Sequence, residues 1–129
     1  MSTPTEIFQR YVHGILTRDA EAVAALFAPD GVFEAPFLPP GRGFPPRMAG
    51  RAEIRAGLGG YYEVRPDDRV VDAPNSRLVL HTTADPDVFI AELDAAFTDG
   101  TGVSQVKIFR LRDGLITLLR DYFAPDELD

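Results

Sequence analysis

Apolar positions recur first at helical spacing and then at strand spacing along this chain. Thr3-Pro4-Thr5-Glu6 reads as a helix start: Thr3 caps, Pro4 suits the first helical position, and Glu6 completes a capping box. Ile7, Phe8, Tyr11, Val12, Ile15 and Leu16 then mark one helical face. Asp19 caps a second short helix, with Ala22, Val23, Leu26 and Phe27 on its buried side. Pro29-Asp30-Gly31 reads as a turn, and Val32, Phe33, Ala35 and Phe37 as a first strand that stops at Pro36. A third helix is expected over residues 50–58, bounded by Gly59-Gly60 and followed at once by Tyr61-Tyr62. The second half reads as strands over 68–72, 77–83, 88–97, 102–111 and 115–123. Turn chemistry separates them at Ala73-Pro74-Asn75-Ser76, Asp85-Pro86-Asp87 and Asp99-Gly100, and Asp113-Gly114 is a strong hairpin signal. Residues 38–47, with four prolines and two glycines, form a loop that suits either a lid or pocket rim or a surface excursion. Helices first and a long meander second predict one α+β domain over 1–129, its helices covering one face of a curved antiparallel sheet.

Composition narrows the functional classes. The 129 residues are 45% hydrophobic and 26% charged, which suits a soluble globule with a core of its own. There is no cysteine, hence no disulfide, thiol nucleophile or thiolate metal site. No basic start with an apolar run marks a secretory signal, and no apolar stretch approaches the ~20 residues of a membrane helix, so neither export nor membrane is expected. A bacterial cytoplasmic protein is the default expectation, and twelve arginines against the single Lys107 suggest a GC-rich genome. The net charge of −7 argues against a nucleic-acid partner, which would need a basic stripe. His13 and His81 are far apart and belong to no spaced cluster of His, Asp and Glu, so the sequence carries no metal signature and leaves only a mixed site assembled in space.

The run Ala25-Leu26-Phe27-Ala28-Pro29-Asp30-Gly31-Val32-Phe33-Glu34-Ala35-Pro36 and the C-terminal Phe109–Ile116 hairpin with Arg120-Asp121-Tyr122-Phe123-Ala124-Pro125 resemble the SnoaL-like polyketide-cyclase and ketosteroid-isomerase group of the nuclear-transport-factor-2-like superfamily. Thr83-Ala84-Asp85-Pro86-Asp87-Val88-Phe89 and Arg120-Asp121-Tyr122 are also similar to the phenazine-biosynthesis A/B family. The resemblance spans most of the chain and is weakest over 38–48 and 60–76. It implies a cone-shaped sheet wrapped around three N-terminal helices, an interior apolar pocket, and an outer sheet face that often makes a homodimer. Ketosteroid isomerases use a carboxylate base, a tyrosine and a protonated acid. In this chain the tyrosine falls on Tyr11 and the base on Ala35, which cannot take a proton. The second oxyanion donor falls on Lys107 if Phe109 is kept in phase, and on Val106 otherwise. The histidine of the phenazine families falls on Gly57, and their last-strand acid on Asp121.

The candidate catalytic residues are therefore Tyr11, Asp121, Lys107 and His81. Tyr11 lies about 60° off the centre of its helix's apolar stripe, which suits either a hydroxyl beside a cavity or a core tyrosine. Asp121 alternates with Leu119 and Phe123 and shares their face. A three-residue hairpin loop puts Gln105, Lys107 and Phe109 on that face, whereas a two-residue Asp-Gly loop puts Val106 opposite Asp121 and turns Lys107 outward. With both inside, Lys107 and Asp121 neutralise each other. His81 reads as a buried, hydrogen-bonded histidine or as a helper to the acid. Phe33, Phe37, Leu58, Tyr61, Tyr62, Phe89, Ala91, Gln105, Phe109, Leu119 and Phe123 are the expected pocket wall, with Phe44 and Met48 entering through the proline loop. Two classes of function fit: a cofactor-independent isomerase or cyclase acting on a small apolar carbonyl or polycyclic compound, and a non-catalytic ligand-binding or dimerising module.

Overall fold

The structure, a computed structural model, describes residues 2–64 and 69–125. Helix α1 (Pro4–Leu16) begins as its sequence predicts, the Thr3 hydroxyl accepting from the Glu6 N–H at 3.2 Å. It buries Ile7, Phe8, Tyr11 and Gly14, while Leu16 ends the stripe largely exposed. Helix α2 (Ala20–Ala24) is capped by Asp19 and buries Val23 and Ala24 rather than Ala22. The two helices approach closely at Gly14, where a Cβ would meet Val23 Cγ2 at 2.7 Å.

The first strand is longer than expected. β1 (Phe27–Glu34) starts inside the predicted helix and runs through Pro29-Asp30-Gly31 without turning. Those residues form a bulge against β6 (Leu115–Tyr122): Phe27 pairs with Ile116, and pairing resumes only at Val32 with Leu118. Gly31 is required there, since a Cβ would sit 2.7 Å from the Ile116 carbonyl oxygen. The β1–β6 pair is parallel, so the sheet is mixed and not purely antiparallel. The intervening elements form a long crossover that returns the chain beside β1 in the same direction.

β1 stops at Glu34, and the short β2 (Arg47–Ala49) emerges from the proline-rich segment to pair with it. That segment is anchored: Leu38 and Phe44 are buried, and the Ala35 N–H donates to the Pro46 carbonyl at 2.8 Å. Helix α3 (Arg51–Val64) does not end at Gly59-Gly60 but carries Tyr61 and Tyr62 within it. Burial of Ile54 and Leu58 and docking of both tyrosines against the core outweigh the ~1 kcal/mol per glycine that favours a break. The expected strand over 68–72, whose first residue lies outside the described residues, is reduced to one bridge, Val71 to Phe97.

β3 (Arg77–Thr82), β4 (Val88–Ala96), β5 (Gly102–Arg112) and β6 form an antiparallel meander. The six strands lie in the order β2-β1-β6-β5-β4-β3, an open sheet with β2 and β3 at its edges. The β5–β6 hairpin turns on Asp113 (φ 53°) and Gly114 (φ 76°), a two-residue loop with both residues left-handed. The register then shifts beyond Leu111, where Leu111 pairs with Ile116 but Arg110 with Leu118. Thr117 is the extra residue, which is why Ile116 and Leu119 are both buried three positions apart. Among the described residues no helix is long and apolar enough to cross a membrane.

Candidate functional site

The bulge at Thr117 decides which side chains meet. A two-residue hairpin alone would have placed Val106 opposite Asp121; one extra residue moves Lys107 there instead. Lys107 and Asp121 are both 6% exposed, while Val106 is 41% exposed on the opposite face. Neither loop length considered from sequence yields this register, because the shift comes from the strand and not from the turn.

The Lys107 ammonium donates to both Asp121 carboxylate oxygens at 2.9 Å and to Gln105 Oε1 at 2.7 Å. All three N–H groups are thereby used. Each carboxylate oxygen has a second lone pair, so Asp121 keeps acceptor capacity. The ammonium also lies 5.7 Å from the centre of the Tyr11 ring. Helix α1 brings Tyr11 to this point by packing it edge-on against Phe109 at 5.2 Å.

These groups lie on the wall of a cavity of about 350 Å³ between the helices and the concave side of the sheet. Its deep end holds Tyr11, Phe33, Leu58, Lys107 and Asp121, all buried; Leu16, Arg69 and Leu78, all exposed, mark its mouth. Tyr61, Tyr62, Gln105, Phe44 and Phe123 also line it. Arg18, in a left-handed conformation (φ 53°), places its guanidinium 4.5 Å from the centre of the Tyr62 ring. Burial pushes the Tyr11 phenol well above its ordinary range, and Asp121 and Tyr62 add to the effect. Tyr62 is pushed up to about 12, chiefly by burial, with Arg18 pulling the other way. Both phenols therefore stay protonated at neutral pH and carry an O–H that can donate.

Other expected wall residues lie elsewhere. Phe89, Ala91, Phe109 and Leu119 point inward but are packed in the core behind the wall, Phe89 stacked on Phe109 at 4.5 Å. Met48 is likewise fully buried core, packed so closely on Gly57 that a Cβ there would force the Met48 thioether to move. Phe37 is 64% exposed and lies on the outer face against Tyr122, because β1 ends before it and alternation no longer sets its direction. His81 is not buried: it faces outward, 2.8 Å from Glu92, as alternation with the inward Leu80 requires. It belongs to the opposite surface from Asp121. Cavity residues that sequence reading did not single out include Arg18 and Arg69, on irregular segments where no periodicity marks direction. A second concavity of about 330 Å³ lies on the outer face beside Phe37, Val106 and Tyr122. Among the described residues no three His, Asp or Glu side chains gather as a metal site.

Comparison with known proteins places this architecture. A protein of Pseudomonas aeruginosa described as uncharacterised and PhzA/B-like is 34% identical over 112 residues, covering 83% of this chain and 74% of that one. Among solved structures, a Bacillus subtilis protein provisionally called an isomerase is 25% identical, with a TM-score of 0.71 over 94% of this chain and 86% of that one. An NTF2-like protein of unknown function from Burkholderia pseudomallei shares the fold at 17% identity, with a TM-score of 0.69 over 99% of this chain and 95% of its own. Residues 8–119 match the SnoaL-like domain, and the chain belongs to that family within the NTF2-like superfamily.

Proposed function

We propose that the cavity is a small-molecule site and that the protein acts, without a cofactor, on an apolar carbonyl compound by acid–base chemistry. The observation that carries this reading is convergence: in a wall that is otherwise mostly aromatic and aliphatic, Tyr11, Tyr62, Lys107 and Asp121 reach the same cavity. Asp121 is the acceptor for a proton on the carbon next to the carbonyl. The C–H electron pair moves into a carbon–carbon bond, and the carbonyl π electrons move onto oxygen. The Tyr11 hydroxyl donates to that oxygen as its charge develops. Return of the proton from Asp121 to the same carbon, or to the γ carbon where a β,γ double bond extends the enolate, regenerates the carboxylate. Lys107 holds Asp121 in position and is a positioning residue in this scheme.

The test follows hydrogen exchange next to the carbonyl of tetralone, an enolisable aromatic ketone, in deuterated water. The expected result is exchange by the wild-type chain and about 100-fold slower exchange by Asp121→Asn. Equal rates for both proteins contradict the assignment of Asp121. The second reading, a non-catalytic ligand-binding module, is favoured by the pairing of both Asp121 oxygens with one ammonium. It predicts saturable tetralone binding with no exchange above background.

A further inference from the structure

The Tyr62 hydroxyl is buried and has no hydrogen-bond partner among the described residues. A buried polar group in that state is unusual, because a neighbouring donor or acceptor normally compensates for lost water. Tyr62 lines the same cavity as Tyr11, Tyr62 and Asp121 act electrostatically on the Tyr11 phenol, and Asp121 acts on that of Tyr62. Lys107, the obvious donor on that wall, already directs its protons at Asp121 and Gln105. Tyr11 and Tyr62 thus offer an entering molecule two phenolic O–H donors from one cavity wall.

We propose that Tyr62 and Tyr11 form a two-hydroxyl clamp for one oxygen atom of a phenol, enol or carbonyl ligand seated in the cavity. The Arg18 guanidinium on the Tyr62 ring holds the ring in place and draws electron density from it, strengthening its O–H as a donor. The surrounding Phe33, Phe44 and Leu58 accept a flat apolar body. The cavity volume lies at the low end of the roughly 300–1,000 Å³ typical of ligand pockets, which favours bodies of one or two rings. This assignment rests on the cavity being the binding site, and not on Asp121 acting as a base.

The experiment titrates the full chain with naphthalene and with naphthol, which differ by a single hydroxyl, and repeats both with Tyr62→Phe and Tyr11→Phe. The wild type is expected to prefer naphthol. Each substitution should weaken naphthol about 3- to 10-fold, the effect of one net hydrogen bond, and leave naphthalene unchanged. Tyr62→Phe should also fold at least as stably as the wild type, since it removes a buried hydroxyl that has no partner among the described residues. Equal weakening of both ligands makes Tyr62 a packing wall and overturns the clamp, as does unchanged naphthol affinity. Failure of either ligand to bind any of the proteins overturns the cavity reading itself, a distinct outcome.

Discussion

Replacing Lys107 with methionine is expected to destabilise the fold by about 3–5 kcal/mol, the effect of stranding one member of a buried ion pair. The side chains of Lys107 and Asp121 are only 7% and 8% exposed, so the carboxylate left behind cannot recover its lost partner from water. Gln105 would stay beside it without the ammonium that joins the two. The paired variant Lys107→Met/Asp121→Leu is expected to regain most of the loss, because an apolar pair of similar volume carries no desolvation cost. Urea denaturation of the wild type and the two variants measures this directly. If the single variant loses less than about 1 kcal/mol, the value of an exposed pair, the ammonium and carboxylate are not buried together as described.

The second large effect is alkaline unfolding. Tyr62 is pushed from its ordinary value near 10 up to about 12, and Tyr11 is raised well above 10, in both cases mainly by burial. Between pH 10 and 12 the unfolded chain has released these two protons while the folded chain retains them. The unfolded state therefore binds fewer protons, and stability falls as pH rises. The contribution is intact below pH 10 and is lost through the folded-state values. Each phenol adds a slope of at most about 1.4 kcal/mol per pH unit. Denaturation midpoints for the wild type and for Tyr11→Phe/Tyr62→Phe check this: the double variant should lose most of the slope over that window. A wild-type midpoint that stays flat from pH 10 to 12 would mean that both hydroxyls face water.

How much of this was legible in the sequence differs by element. The stripe of α1 and its Thr3 cap are local patterns, and Tyr11 could be placed beside the core from spacing alone. The meander from β3 to β6 follows from alternation and turn residues, which are equally local. The parallel β1–β6 pair was not legible, since strand partners far apart in sequence leave no periodic trace. Pro29-Asp30-Gly31 has turn chemistry and serves a bulge, because a neighbouring strand holds the backbone extended on either side. The facing of Lys107 turned on the single extra residue Thr117, which no hairpin rule specifies. β2 is three residues inside a proline-rich stretch, too short to show alternation. The orphan hydroxyl of Tyr62 depends on what does not approach it, and only three-dimensional packing records that.

The proposed function requires a small apolar carbonyl compound to occupy the cavity between the helices and the concave sheet face. Backbone amide NMR during titration with tetralone tests it most directly. Saturable shifts are expected, centred on Tyr11, Leu58, Tyr62, Gln105, Lys107 and Asp121. Shifts centred instead on Phe37, Val106 and Tyr122 across the outer face, or no saturable shift at all, would contradict it.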